Sequence, residues 1–285
     1  MIRKILVPVR GDGKGDNVFA HAAMVAKRFH AHVVVNYCRA RPQDMIPFGV
    51  PVPAFVREQI EESAVLLSDQ EEAKLREEFE VLSTTLGLTI TDTPTSDVAT
   101  ATFASRAGRQ IDVIKEYGRL ADLITVAKPD RDRNLGGNTL KAALFNTGRP
   151  VMMCPPTSSV SADICNHVVI AWNGSTEVSR AVALNMTILE NAEKITVLTA
   201  GAEEPHGASS EELIEYLSLR GITANLERFE TKKNKGEALL QKTAEMGANL
   251  IIMGAYSESH ERETVFGGNT QAIVDKAMIP VILVH

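Results

Sequence analysis

The stretch HVVIAWNGST, His167–Thr176, decides how the chain is read. Its apolar residues run unbroken from Val168 to Trp172 and end on a polar residue and a glycine, after which helical spacing begins. An apolar run without alternation marks a strand covered on both faces by crossover helices. KILVPVRG, Lys4–Gly11, has the same shape. Gly-Gly-Asn-Thr then occurs twice, at Gly136–Thr139 and Gly267–Thr270. Each copy precedes an apolar-periodic stretch and a proline-led strand, Pro150-VMMC and Pro280-VILV. The same landmarks in the same order indicate a duplication, with extra chain inserted between the landmarks of the first copy.

Strand and helix alternate within each copy. The first is read as strands Ile5–Val9, His32–Tyr37, Thr100–Ser105 (with Leu88–Thr93 as the rival), Leu123–Ala127 and Val151–Cys154. Its helices are Asn17–Phe29, a long charged one from Arg57 to Leu86, Ile111–Leu120 and Leu140–Thr147. The long helix has Ile60, Ala64, Leu67, Leu75 and Phe79 to lay on the sheet. The second copy is read as strands Val168–Trp172, Lys194–Thr199, Thr223–Arg228, Leu250–Gly254 and Val281–Val284. Its helices are Glu177–Leu189, Ser210–Arg220, Lys235–Met246 and Thr270–Ala277. Right-handed crossovers between such elements give an α/β fold, two tandem open five-stranded parallel sheets with helices on both faces. The expected domains are 1–154 and 167–285, with the Pro- and Ser-rich 155–166 as linker.

Composition excludes several classes of function. Hydrophobic content of 44% with 23% charged residues is that of a globular protein with a core. The formal charge of −6 argues against a nucleic-acid or anionic-membrane partner. The N-terminus reads as a first strand and not as a signal peptide, and no stretch approaches the ~18 apolar residues of a membrane span. Cys38, Cys154 and Cys165 have no Cys-x-x-Cys spacing, so a reducing, cytoplasmic setting is expected.

These landmarks resemble the universal stress protein (UspA-like) family. Its marks are an opening strand ending V-[D/N]-G-S, a fourth strand leading into G-x₂-G-x₉-G-[S/T], then a helix and P-V-x-V-V. The second copy offers IAWNGS (Ile170–Ser175), Gly254, Gly267-Gly268, and Pro280-VILVH thirteen residues after Gly267. The resemblance covers both copies and is the stronger for the second. It implies the strand order 3-2-1-4-5, adenine nucleotide binding in some branches, and pairing of domains through their fifth strands.

In an open parallel sheet ligands bind at the carboxyl ends of strands, where the winding reverses. With that order the crevice lies between the first and fourth strands. Asn173, Gly174 and Ser175 leave one strand and Gly254 leaves the other. Ser257 follows, and the chain returns through Gly267, Gly268, Asn269 and Thr270 at a helix N-terminus. Glycine lets a phosphate approach backbone amides, and a helix N-terminus favours an anion. Three positions depart from the family pattern. Asn173 replaces Asp, Ser257 replaces the second glycine, and Gly268 stands where a hydroxyl is expected, with Thr270 close by. Glu258, Glu261 and Glu263 in the same loop require a divalent cation such as Mg²⁺, or outward-facing side chains, if ATP or a similar nucleotide binds. The structural alternative is that the glycines end a strand and start a helix. The first copy is degenerate, with Arg10 after its first strand and Ala127 at the end of its fourth. Its Lys128, Arg131 and Arg133 are interleaved with Asp130 and Asp132 and read as solvated.

No catalytic set accompanies this loop. Ser175 lacks the G-x-S-x-G setting of a nucleophile and reads as a helix cap. His30-x-His32 lacks a third metal ligand. Trp172 reads as packing, and Cys38 as a small hydrophobe or a reactive thiol near the crevice mouth. The expected function is therefore a stress-response binding protein with a nucleotide in its second copy. The alternatives are a non-nucleotide scaffold acting through a pseudo-dimer surface, as a homodimer or with an unidentified protein partner, and a weak ATP hydrolase.

Overall fold

The structure, a computed structural model of the 285-residue chain, describes residues 1–9, 15–39, 41, 52–133, 135–157, 159–201, 207–231, 234–255 and 268–285. The first half contains β1 (Lys4–Val9), α1 (Gly15–Phe29), β2 (His32–Arg39), α2 (Ala54–Thr85), β3 (Thr89–Ile90) and β4 (Thr100–Ala107). It continues with α3 (Gln110–Gly118), β5 (Leu123–Ala127), α4 (Gly137–Thr147) and β6 (Val151–Cys154). The second half contains β7 (His167–Trp172), α5 (Thr176–Leu184), α6 (Met186–Glu190), β8 (Lys194–Ala200), α7 (Ser210–Ser218) and β9 (Asn225–Phe229). It ends with α8 (Lys235–Glu245), β10 (Leu250–Gly254), α9 (Gly268–Lys276) and β11 (Val281–Val284).

The described strands form one sheet, in the order β3-β4-β2-β1-β5-β6-β11-β10-β7-β8-β9. Apart from β3, each half has its first strand central, strands two and three on one side, and four and five on the other. The two sheets meet at their fifth strands and are continuous there. There β6 and β11 run antiparallel, with Val281 opposite Met153, Ile282 opposite Met152 and Leu283 opposite Val151. Strand pairs within each half are parallel, as between β1 and β2 or β7 and β10. Both candidates for the third strand form. Thr100–Ala107 is the long one, and Thr89–Ile90 adds an exposed two-residue edge outside it. So short an edge offers little for another chain to pair with.

The cores follow the sheet across the junction. On one face Ile5, Val33 and Met152 share a cluster with Ile170, Val197 and Ile282. On the other, Leu6, Ile124 and Met153 share one with Ile251 and Leu283. The connection between β6 and β7 is fastened down as well. Ile164 and Cys165 are buried in the first cluster. Asn17 donates to the Pro155 carbonyl at 2.7 Å, and Asn249 to that of Asp163 at 2.7 Å.

Several helices differ from expectation. Glu177–Leu189 is broken at Asn185, whose buried amide donates to the Ala181 carbonyl at 2.8 Å and stands between α5 and α6. Gly137-Asn138-Thr139 and Gly268-Asn269-Thr270 lie in the first turn of a helix, so α4 and α9 begin earlier than their apolar periodicity suggests. In α2 the buried residues are Ala64, Ser68, Phe79 and Ser83, while Leu67 is 62% exposed. The stripe steps by four residues at most positions, which carries Leu67 off its edge. Phe79 seats the helix, its ring 5.6 Å from Phe19 and 5.8 Å from Phe103. Acidic residues of α2 also hold the ends of β2 and β4: the Tyr37 hydroxyl donates to Glu71 at 2.5 Å, Arg39 meets Asp69 at 2.6 Å, and Ser105 donates to Glu72 at 2.7 Å. No described helix is long and apolar enough to cross a membrane.

Two outcomes are expected from this architecture. Ile282 is fully buried at the junction, so Ile282→Ala should cost about 2–5 kcal/mol. Because the cores are shared, both halves should then melt together in one calorimetric transition. Two transitions of which only one moves would contradict the shared core. Burial in α1 lowers the pKa of His21 from the usual 6.5, opposed in part by its hydrogen bond to the Asn17 carbonyl. The unfolded chain therefore takes up the proton first, and stability is lost as pH falls below 6.5. The urea midpoint should drop between about pH 7 and about pH 5.5, and His21→Gln should flatten that drop.

Candidate functional site

The residues after β7 form a compact turn. Asn173 accepts a hydrogen bond from the Ser175 amide at 3.1 Å through Oδ1. Gly174 is left-handed at φ +73°, and a Cβ there would lie 3.0 Å from the Ala208 carbonyl oxygen. Only glycine meets both conditions without strain. Ser175 is buried and caps α5, its Oγ accepting from the Val178 amide at 3.4 Å. Trp172 packs at the end of β7, and its indole N–H donates to Ala208 at 3.0 Å, tying segment 207–208 across the strand end.

Gly254 ends β10 directly beneath that helix. A Cβ on Gly254 would lie 2.5 Å from the Val178 amide nitrogen and 2.8 Å from Glu177. The glycine therefore lets the first turn of α5 settle on the strand end, a backbone contact that the sequence does not declare. The structure thus joins Gly254 to the turn of Asn173, Gly174 and Ser175. Gly268, Asn269 and Thr270 open α9, which packs on α8. A Cβ on Gly236 would lie 2.5 Å from the Asn269 carbonyl oxygen, and Asn234 donates to the Gly268 carbonyl at 3.3 Å. Asn234 also caps α8, accepting from the Gly236 amide at 2.8 Å. This Asn234–Gly236 support was not read from the sequence, although an Asn-x-Gly before a helix is a capping signal. No described residue lies within 4 Å of the place a Cβ on Gly268 would take. Ser257, Gly267, Glu258, Glu261 and Glu263 lie outside the described residues, as does Arg10 in the first half.

The corresponding end of the first half holds a cleft of about 520 Å³, lined by Asn17, Ala127, Arg133, Cys154, Thr157 and, from the second half, Asp275. Gly136 is left-handed at φ +82°, and a Cβ there would meet the Pro129 backbone at 3.3 Å. The expectation of a solvated basic loop is corrected here. Lys128 donates to the Ala277 carbonyl at 3.0 Å, and Arg131 pairs with Asp275 at 3.0 Å. Burial lowers the Lys128 pKa, an effect that Asp275 opposes. Arg133 stays with Asp130 in its own loop. Two of the three cations thus brace one half on the other.

Among the described residues no group of three potential metal ligands occurs. His32 donates to or accepts from Thr100 at 2.8 Å. Cys154 and Cys165 are buried free thiols, and burial raises their pKa, that of Cys165 to about 12. The proline-rich connection 42–51 lies outside the described residues.

Gly254→Ala should lower the urea midpoint, by the ~1–3 kcal/mol of an overpacked contact, since its methyl meets backbone and not a flexible side chain. A variant as stable as the parent would place the first turn of α5 elsewhere.

Comparison with known proteins fits this geometry. Residues 167–285 match the model of the Universal stress protein family. Over the whole chain the fold is similar to a universal stress protein from Archaeoglobus fulgidus DSM 4304, with a TM-score of 0.73 and 14% identity, covering 99% of this chain and 97% of that one. A Pseudomonas aeruginosa UCBPP-PA14 protein proposed to be a universal stress protein aligns with a TM-score of 0.54 and 16% identity, over 99% and 93% of the two chains. A functionally unknown Pseudomonas aeruginosa PAO1 protein aligns with a TM-score of 0.54 and 16% identity, over 99% and 92%. No curated protein sequence matches the chain.

Proposed function

Because residues 167–285 belong to the universal stress protein family, we propose that the protein is a stress-response binding protein holding an adenine nucleotide in its second half. The observation that carries this reading is the switch point between β7 and β10, which are adjacent and parallel. From β7 the chain winds outward to β8 on one side and returns to β10 on the other. Ligands of open parallel sheets lie in the crevice so formed.

In this reading Asn173, Gly174 and Ser175 form one wall and Gly268, Asn269 and Thr270 the other, and Ser257 and Gly267 belong in sequence to the segment that joins Gly254 to Gly268. Gly254 holds the α5 N-terminus over the crevice and does not itself receive phosphate. The open space at Gly268 fits an anion approaching the first amides of α9. A divalent cation such as Mg²⁺ would screen the phosphates from Glu258, Glu261 and Glu263. The buried free thiols of Cys154 and Cys165 support a cytoplasmic location. The scaffold alternative draws on one observation: Phe55, Leu66 and Leu67 of α2 are each at least 60% exposed and offer apolar surface to a partner.

Calorimetry with ATP, ADP and AMP, with and without Mg²⁺, should show one site for at least one of them. Gly268→Asp is the informative variant, because its side chain enters open space and an acidic residue suits a helix N-terminus. It should leave stability intact and weaken nucleotide binding at least about tenfold. Absence of binding by the parent protein would remove this function, and binding unchanged in Gly268→Asp would remove this site.

A further inference from the structure

The duplication provides an internal control for a second cavity, away from the crevice of either half. Pair registers align Lys4 with His167 and His32 with Lys194, because each pair begins the first and second strands of its half. Asn36 then corresponds to Leu198, and Arg106 to Phe229, their partners on the second strand being Cys38 and Ala200 respectively. In the second half Leu198, Phe229, Val169 and Ala248 fill the space beneath α8 as an apolar cluster. In the first half the same face of β1, β2 and β4 lies open beside the shorter α3, leaving a cleft of about 380 Å³.

Asn36 sits inside this cleft in the middle of the strand sequence HVVVNYCR. It is 1% exposed, and its side-chain oxygen has no hydrogen-bond partner. An unsatisfied buried polar group costs roughly 1–3 kcal/mol, and asparagine is a poor strand former. The homologous position shows that leucine serves the fold there. An orphaned acceptor in a cavity therefore calls for a donor from outside the chain.

The remaining walls define what that donor belongs to. Lys4 and Arg106 line the cleft, and the Arg106 guanidinium stacks 5.0 Å from the Tyr117 ring centroid. Asp92, the acidic residue of the lining, already accepts a hydrogen bond from Thr102. Two cations face one committed carboxylate, so the cleft favours an anion. A guanidinium held over an aromatic ring can still offer its N–H fork to a carboxylate. Leu6, Val34 and Ala104 give the floor an apolar surface.

We propose that this cleft is a binding site for a small amino- or hydroxy-substituted carboxylic acid, its carboxylate on Arg106 and its N–H or O–H donated to Asn36. The site is independent of the nucleotide reading and would survive its failure.

The test uses the full chain with 4-aminobenzoate, 4-hydroxybenzoate and glutamate as probes, followed by calorimetry and by chemical shifts of Asn36 and its neighbours. At least one probe should bind the parent protein. Asn36→Leu, which installs the residue of the second half, should raise the melting temperature by a few degrees and abolish binding. Arg106→Ala, an exposed change, should weaken the probe at least about tenfold without altering stability. Gly268→Asp should leave probe binding unchanged. No binding by any probe, binding that persists in Asn36→Leu, or a crystal soaked in the probes with only water at Asn36 would overturn the proposal.

Discussion

The antiparallel pairing of β6 with β11 is the constraint on which the rest of the structure depends. Each half is an open parallel sheet, and an open sheet leaves its last strand with unpaired backbone groups. Val151–Cys154 and Val281–Val284 are both short, and all their side chains are buried. Strands of this composition cannot stand at a solvent edge without attracting another chain. Joining them satisfies both edges at once and makes the two cores continuous across the junction.

The same pairing sets where the two crevices lie. All strands within a half are parallel, so their carboxyl ends share one side. An antiparallel junction points the carboxyl ends of the two halves in opposite directions. Each crevice therefore abuts the segment that leads into the fifth strand of the other half. Lys128 and Arg131 of the first half reach Ala277 and Asp275 in this way. In the reciprocal place His285 of the second half meets Phe145, with ring centroids 4.8 Å apart. The contacts occupy matching places but use different chemistry, ionic on one side and aromatic on the other. In the first half they engage the cations that a phosphate would need, which gives the loss of its strand-end glycine a physical partner.

Much of this was legible because the signals were local. Unbroken apolar runs gave Leu123–Ala127, Val151–Cys154, Leu250–Gly254 and Val281–Val284 their observed bounds. What could not be read depends on contacts between distant segments. The break at Asn185 arises from a side chain competing for a helical carbonyl, and nothing in the periodicity of Glu177–Leu189 foretells it. Leu67 faces outward because a stripe drifts over a 32-residue helix, a small error per turn that accumulates. Lys128, Arg131 and Arg133 read as a solvated run because their partners lie in another half or in the turn geometry of their own loop.

At Gly254 the missing side chain makes room for the protein's own backbone. A glycine at the end of the fourth strand suggests room for a phosphate, yet the atoms that need the room belong to Glu177 and Val178. Missing side chains at Gly118 and Gly236 serve close packing in the same way, against Thr147 and the Asn269 carbonyl respectively. Gly268 differs, because no described residue lies within 4 Å of the place its Cβ would take. A glycine whose absent Cβ leaves space filled by backbone is a packing device, and one whose absent Cβ leaves open space is available to a ligand. By that criterion the amides of α9, and not the end of β10, are where an anion would find access in the second half.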